Sequence, residues 1–225
     1  MHVETPEAAI APRTRPRSCR SWWWNTTLFG LLASAAGCPT PYVSTESTDA
    51  NRQATPPLDD LGVLDLTGRP CDPLAVSRGR VVVLVFVRRD CPIANRYAPT
   101  LRTLHENYMP QGADFYLVYP DPNTHRSQIE NHLREYGLNM PALHDPRHVL
   151  VDLAEASVTP EAAVFDRRGD LVYHGRIDDR YVEFGKARAE ATSHDLQAAI
   201  QAAVADEPVT VSATEAVGCY ISDLR

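Results

Sequence analysis

The residue with the clearest chemistry is Cys91. It stands between an unbroken β-branched run, Val81 to Val87, and a stretch that opens with Pro92 and carries helical spacing. A cysteine at such a junction faces the first amides of a helix, which lack intrahelical acceptors and lie at the positive end of the helix dipole. Both features favour a thiolate, so the pattern predicts a pKa below the free value of about 8.5 and a nucleophilic sulfur. Pro92 suits the first helical turn, where its missing N–H costs nothing. Arg88 and Arg89 add positive charge nearby, and Asp90 opposes it. The plainer reading is a small buried apolar residue. The strand-to-helix position favours the reactive one.

A redox thiol needs a partner for its electrons. Of the five cysteines, Cys19 and Cys38 fall in an N-terminal region treated below as a leader, which leaves Cys71, Cys91 and Cys219. Three are too few for a disulfide scaffold, so a dithiol pair with one bystander is the simplest arithmetic. Cys219 lies in the apolar patch Val217-Gly218-Cys219-Tyr220-Ile221, after the last helical pattern. A C-terminal segment can fold back onto a helix-start cysteine if the Cα atoms come within about 7 Å. The alternative is a tail cysteine without a role. Cys71 has no helix-start context and reads as the bystander, although it and Cys219 could exchange parts. The histidines show no recurring ligand spacing, so no metal or other cofactor is expected. Surface or core positions suit them better, and His174 is the least ordinary. Asp178 and Asp179, with Arg176 and Arg180, read as a solvated loop of ion pairs.

The elements that must position these groups alternate. Leu61 to Leu66 reads as a short strand ending at Thr67-Gly68, and Val81 to Val87 as a strand buried on both faces. A helix should follow Cys91 to about Tyr108, with Leu101, Leu104 and Tyr108 on one face. Ala113 to Tyr119 is the next strand, and Ser127 to Tyr136 a helix stopped by Gly137. Val149 to Ala156 reads as a short helix. Ala162 to Asp166 and Leu171 to His174 form a hairpin about Arg168-Gly169-Asp170. A last helix runs from His194 to Ala205, with Ser193 as its cap. The order β-α-β-α-(α)-β-β-α predicts an α/β fold with a mixed, mostly parallel central sheet flanked by helices.

Strand–Asp90-Cys91-Pro92–helix, then Val158-Thr159-Pro160–strand, then the glycine hairpin, resembles the thioredoxin-like superfamily. The stretch from Cys91 to Pro99 (CPIANRYAP) is similar to a bacterial branch of redoxin-domain proteins of the alkyl hydroperoxide reductase/thiol-specific antioxidant type. So are Tyr173 to Tyr181 and Ala216 to Ile221. The resemblance covers about Leu58 to Ile221. It implies a thioredoxin-like fold, with Pro160 as a cis-proline against Cys91. It also implies that Thr159 and Pro160 present backbone to an extended substrate. The chain departs from the better-known patterns. Ala94 stands where Cys-x-x-Cys oxidoreductases have their second cysteine, and Asn95 where Sco-type copper chaperones have theirs. Arg88 replaces the Thr or Ser that typical peroxiredoxins carry three residues before the peroxidatic cysteine, which weakens a claim to peroxide reduction.

Residues 1–37 carry Arg13, Arg15, Arg17 and Arg20, then Trp22-Trp23-Trp24 and an apolar run from Leu28 to Ala36. A basic, an apolar and a small-residue region in that order is the plan of a signal peptide. The apolar run is short for a membrane span. Ala35-Ala36-Gly37-Cys38 resembles a lipoprotein box that opens with Ala instead of the usual Leu, which makes Cys38 the candidate lipidation site. Residues 38–57 are rich in Ser, Thr, Pro and Asn and read as a tether, with the redoxin domain at 58–225. The location expected is outside the cytoplasm, periplasmic or anchored to a membrane by lipid. A net charge of −7 argues against nucleic acid as a partner and against direct attraction to anionic lipid.

The expectation is therefore an exported thiol oxidoreductase. Cys91 attacks a protein disulfide or a small peroxide, Cys219 resolves the intermediate, and a thiol reductant closes the cycle. A copper-binding or chaperone module using Cys91, Cys219 and a histidine is the alternative from another class. An inert thioredoxin-like scaffold is the third.

Overall fold

The computed structural model describes residues 62–221. The leader, Cys38, the tether and the domain start at Leu58 lie outside the described residues. In chain order the elements are β1 (Leu64–Asp65), α1 (Pro73–Val76), β2 (Val81–Phe86), α2 (Pro92–Arg96), α3 (Ala98–Tyr108) and β3 (Ala113–Tyr119). They continue with α4 (Arg126–Tyr136), β4 (Ala142–His144), α5 (Val149–Leu153), β5 (Val158–Thr159), β6 (Glu161–Phe165) and β7 (Leu171–Gly175). Last come β8 (Tyr181–Glu183), β9 (Lys186–Ala187), α6 (Asp195–Val204) and β10 (Cys219–Tyr220).

The central sheet has the order β1-β4-β3-β2-β6-β7. β2 and β3 pair in parallel, as do β3 and β4; β1–β4, β2–β6 and β6–β7 are antiparallel. β2, β3, β4 and β7 thus share one direction, and β1 and β6 oppose it. This is the expected mixed α/β sheet. β2 lies at its centre and is buried along its whole length. Side chains alternate across a strand, so Val81, Val83 and Val85 join a cluster with Leu101, Leu196 and Ile200. Val82, Leu84 and Phe86 join another with Leu150 and Val151. Helices therefore cover both faces, which is why β2 is apolar without alternation.

Several elements differ from the sequence expectation for identifiable reasons. The helix after Cys91 is two helices, parted at Tyr97. Pro99 has no N–H with which to continue the first ladder, and it fits the opening turn of α3 instead. β4 has only three residues, too few to display a period. β8 and β9 form a small hairpin in the stretch read as a loop. Asp178 and Asp179 are buried, contrary to the expected solvated loop. Asp178 accepts the Tyr97 hydroxyl at 2.5 Å and the Arg180 amide at 2.9 Å. Asp179 accepts the amides of Thr192 and Ser193. Arg176 pairs instead with Asp195, at 2.7 Å. His194, not Ser193, is the N-cap residue of α6; the Ser193 hydroxyl donates to Asp195 in the first turn.

Leu101 is essentially inaccessible, on the α3 face against β2 and β3. Leu101→Ala should cost about 3 kcal/mol through lost burial and the cavity it leaves. Urea unfolding should show the midpoint fall with little change in slope.

Candidate redox site

Val87 continues β2 by donating its amide to the Val118 carbonyl, at 2.9 Å. The chain then turns. The Arg88 guanidinium closes on the Asp90 carboxylate through two contacts, at 3.2 and 3.0 Å, and the Cys91 amide donates to the Arg88 carbonyl. This delivers Cys91 to the N-cap of α2, as expected, with no exposed surface. Its side chain does not cap the helix, however. The thiol donates to the Thr159 carbonyl at 3.0 Å. The expectation that free helix amides would bind this sulfur is not met: the side chain turns away from them to the Thr159 carbonyl.

Thr159 lies at the end of β5, and the Thr159–Pro160 peptide is cis. The Glu161 carboxylate holds this segment from behind, accepting the amides of Ser157 and Val158 at 2.8 and 3.1 Å. The outer edge of β5 is not open. β10 pairs with it antiparallel, Cys219 opposite Thr159 and Tyr220 opposite Val158. Thr159 and Pro160 were expected to offer backbone to a substrate; here the Thr159 edge carries the chain's own C-terminal segment.

That pairing brings Cys219 to Cys91. The Cys219 thiol donates to the Cys91 sulfur at 3.1 Å, across 128 positions of sequence. No disulfide joins them. Burial pushes the Cys219 thiol up to about 11, helped by the hydrogen bond to Cys91 and by the charge Cys91 would carry. Cys71 packs in the cluster on the opposite face of the sheet, so it is Cys219 that meets Cys91.

Two glycines admit the tail. A Cβ on Gly218 would sit 2.2 Å from the Thr159 carbonyl oxygen and 2.6 Å from its carbon, both backbone atoms. Gly175, at φ +138°, would put a Cβ 2.2 Å from the Thr214 carbonyl. Beside Gly175 the tail is tied to β7: the His174 amide donates to the Ser212 carbonyl, and the Thr214 amide to the His174 carbonyl. The Thr214 hydroxyl also meets the Tyr173 hydroxyl at 2.8 Å.

The sequence reading missed a polar chain behind α2, buried at its Tyr119–His132 end. Asn95 donates to the Arg89 carbonyl at 3.0 Å and to the Tyr136 hydroxyl at 3.1 Å. Its amide oxygen meets His132 Nε2 at 2.8 Å, and His132 Nδ1 meets the Tyr119 hydroxyl at 2.8 Å. An amide oxygen only accepts, so Nε2 carries the proton and Nδ1 accepts from Tyr119. Burial lowers the His132 pKa and favours this neutral form. A histidine within a helical pattern whose flanks are polar gave no signal for this contact.

Among the described residues no group of histidine, cysteine and carboxylate side chains is arranged to hold a metal ion. His174 instead lies between two glutamates, its Nε2 3.7 Å from Glu155 and its Nδ1 3.9 Å from Glu161.

Gly218→Val should lift β10 from β5. Alkylation of Cys91 by iodoacetamide should then speed up at least about tenfold, since attack follows access to the sulfur. In the native reduced protein, Cys219 alkylation should rise with pH toward a midpoint near 11. Cys91→Ala removes two of the influences that raise it, the hydrogen bond and the charge, so the midpoint should move down.

The geometry invites comparison with known proteins. The AhpC/TSA family matches residues 57–174. That span holds Cys91, Thr159 and Pro160 and stops short of Cys219. A hypothetical protein from Sinorhizobium meliloti is 24% identical with a TM-score of 0.61, over 71% of this chain and 88% of its own. An uncharacterized conserved protein from Geobacillus kaustophilus is 23% identical with a TM-score of 0.62, over 75% of this chain and 93% of its own. These two share the fold. No curated protein sequence matches the chain. The family match extends over more than half of the sequence and includes the strand, the helix-start cysteine and the cis-proline: the chain belongs to the AhpC/TSA family, with a thioredoxin-like fold.

Proposed function

We propose that this protein is a thiol–disulfide oxidoreductase whose working unit is the Cys91–Cys219 pair. One observation carries the reading: the two sulfurs are 3.1 Å apart, held there by a strand pairing and not by a chance side-chain approach. Oxidation of the pair forms one S–S bond and gives up two electrons and two protons to a partner disulfide, which becomes two thiols. Reduction runs the same steps backward.

The surroundings favour a disulfide over a peroxide as the oxidant. A peroxide must reach a thiolate and be held by a donor beside it. Cys91 has no exposed surface, position 88 offers no hydroxyl, and the Arg88 guanidinium is engaged by Asp90. Cys219 is partly exposed and can pass electrons outward by exchange. Export, which the leader supports, would place the pair in a compartment where disulfides persist.

Treating the reduced full chain with hydroxyethyl disulfide tests this. Peptide mapping should link Cys91 to Cys219, with the loss of two hydrogens across that pair, in both the wild type and Cys71→Ser. Cys219→Ser should form no such link. A link to Cys71, or none at all, overturns the proposal. Consumption of hydrogen peroxide at the same rate by the wild type and Cys91→Ser is the expected companion result. A rate that depends on Cys91 would move the assignment to peroxide reduction.

A further inference from the structure

Cys219 opens on a groove of about 740 Å³ bounded by the tail, β7 and the β8–β9 turn. Cys91 is not among the residues that line it, and it is fully buried. A sulfur arriving from outside therefore meets Cys219 first. The volume is that of an ordinary ligand cleft.

The lining has a marked chemistry. It carries Glu155, Glu161, Glu183 and Glu215 and no lysine or arginine. Glu161 is buried and spends one oxygen on its own chain; Glu183 pairs with Lys186 at 3.0 Å; Glu155 faces His174. Arg88, the cation that acts on Cys219 from the α2 side, is closed on Asp90. Val182, Phe184 and Tyr220 line the same groove and are 46, 68 and 63% exposed, half of the six large apolar side chains exposed in the described residues. His174 also lines it, with a buried Nδ1 that has no hydrogen-bond partner among the described residues.

We propose that this groove docks a basic, cysteine-bearing polypeptide, which exchanges with the redox pair through Cys219. The proposal rests on the redox reading above and names its partner. Apolar side chains exposed beside a reactive sulfur fit a polypeptide better than a small charged thiol. The excess of carboxylates selects the sign of its charge. In the chemical step the partner's thiolate attacks Cys219 Sγ of the oxidised pair. The Cys91–Cys219 bond breaks, the partner–Cys219 bond forms, and Cys91 leaves as a thiolate that takes a proton from solvent. A second partner thiol attacks the partner sulfur of the mixed disulfide and releases Cys219. Two partner thiols become one disulfide, and the protein disulfide becomes a dithiol.

The full chain, oxidised with hydroxyethyl disulfide, is mixed with synthetic decapeptides that carry one cysteine among alanine and leucine, flanked by lysines or by glutamates. Each rate is divided by that peptide's rate with hydroxyethyl disulfide, which removes the effect of flanking charge on the peptide's own thiol. At low ionic strength the lysine peptide should be at least about tenfold faster. The ratio should shrink toward unity in about 0.5 M salt, where charges are screened within a few ångströms. Glu183→Gln with Glu215→Gln should cut the preference several-fold. Cys91→Ser cannot form the internal bond and carries a hydroxyethyl disulfide on Cys219 instead; the peptide thiolate should displace mercaptoethanol from it and stay trapped as a mixed disulfide on Cys219. Equal normalised rates, or a peptide adduct on Cys91 in the wild type, overturn the docking proposal and leave the redox pair standing. If the oxidised pair never forms, both fall together.

Discussion

The short antiparallel pairing of β10 with β5 is the contact on which the candidate site depends. It sets Cys219 opposite Thr159, the residue whose carbonyl already accepts the Cys91 thiol. Three groups from distant parts of the chain thereby share one small volume. Neither sulfur is directed by its own helix or loop alone. Bringing together residues 128 positions apart carries an entropic cost that grows only slowly with loop length. The tail meets that cost in pieces, first along β7 and then along β5, so that only the last few residues must be ordered to seat the sulfur.

The pairing is possible because of what is missing from two side chains. A Cβ at Gly218 would overlap the backbone of Thr159, and one at Gly175 the backbone of Thr214. Backbone cannot yield as a long side chain can, so glycine is a steric requirement at these crossings. Glu161 adds rigidity from the inner side. Its carboxylate accepts two amides of the segment before the cis-proline, and the one on buried Val158 would otherwise be costly to leave unpaired.

Cys91 is supported separately. The chain Tyr119–His132–Asn95–Arg89 ties the end of β3, α4, α2 and the loop before the cysteine into one hydrogen-bonded unit. Connected hydrogen bonds of this kind restrain what they join, most strongly at the buried Tyr119–His132 end. Asn95 is notable because related folds use that position for a second sulfur. Here the second sulfur comes from the tail, and position 95 is free to serve as a strut.

The strand-to-helix placement of Cys91, the central β2, the α3 face, the helix stop at Gly137 and the β6–β7 hairpin were all legible in the sequence. Each is written in local periods or in single residues with special backbone geometry. Cys219 was legible as the second sulfur, with Cys71 as the bystander, but an exchange of parts between the two stayed open, because sequence carries no measure of which face of a sheet a distant segment will reach. Tertiary structure alone decided that the Thr159 edge is covered by the tail, that Cys91 offers its proton to a carbonyl, and that Asp178 and Asp179 are buried. It also decided that His132 and Asn95 join in one network. The physical reason is common to all four: each depends on contacts between segments far apart in the chain, set by how the sheet stacks its helices and not by any neighbour in sequence.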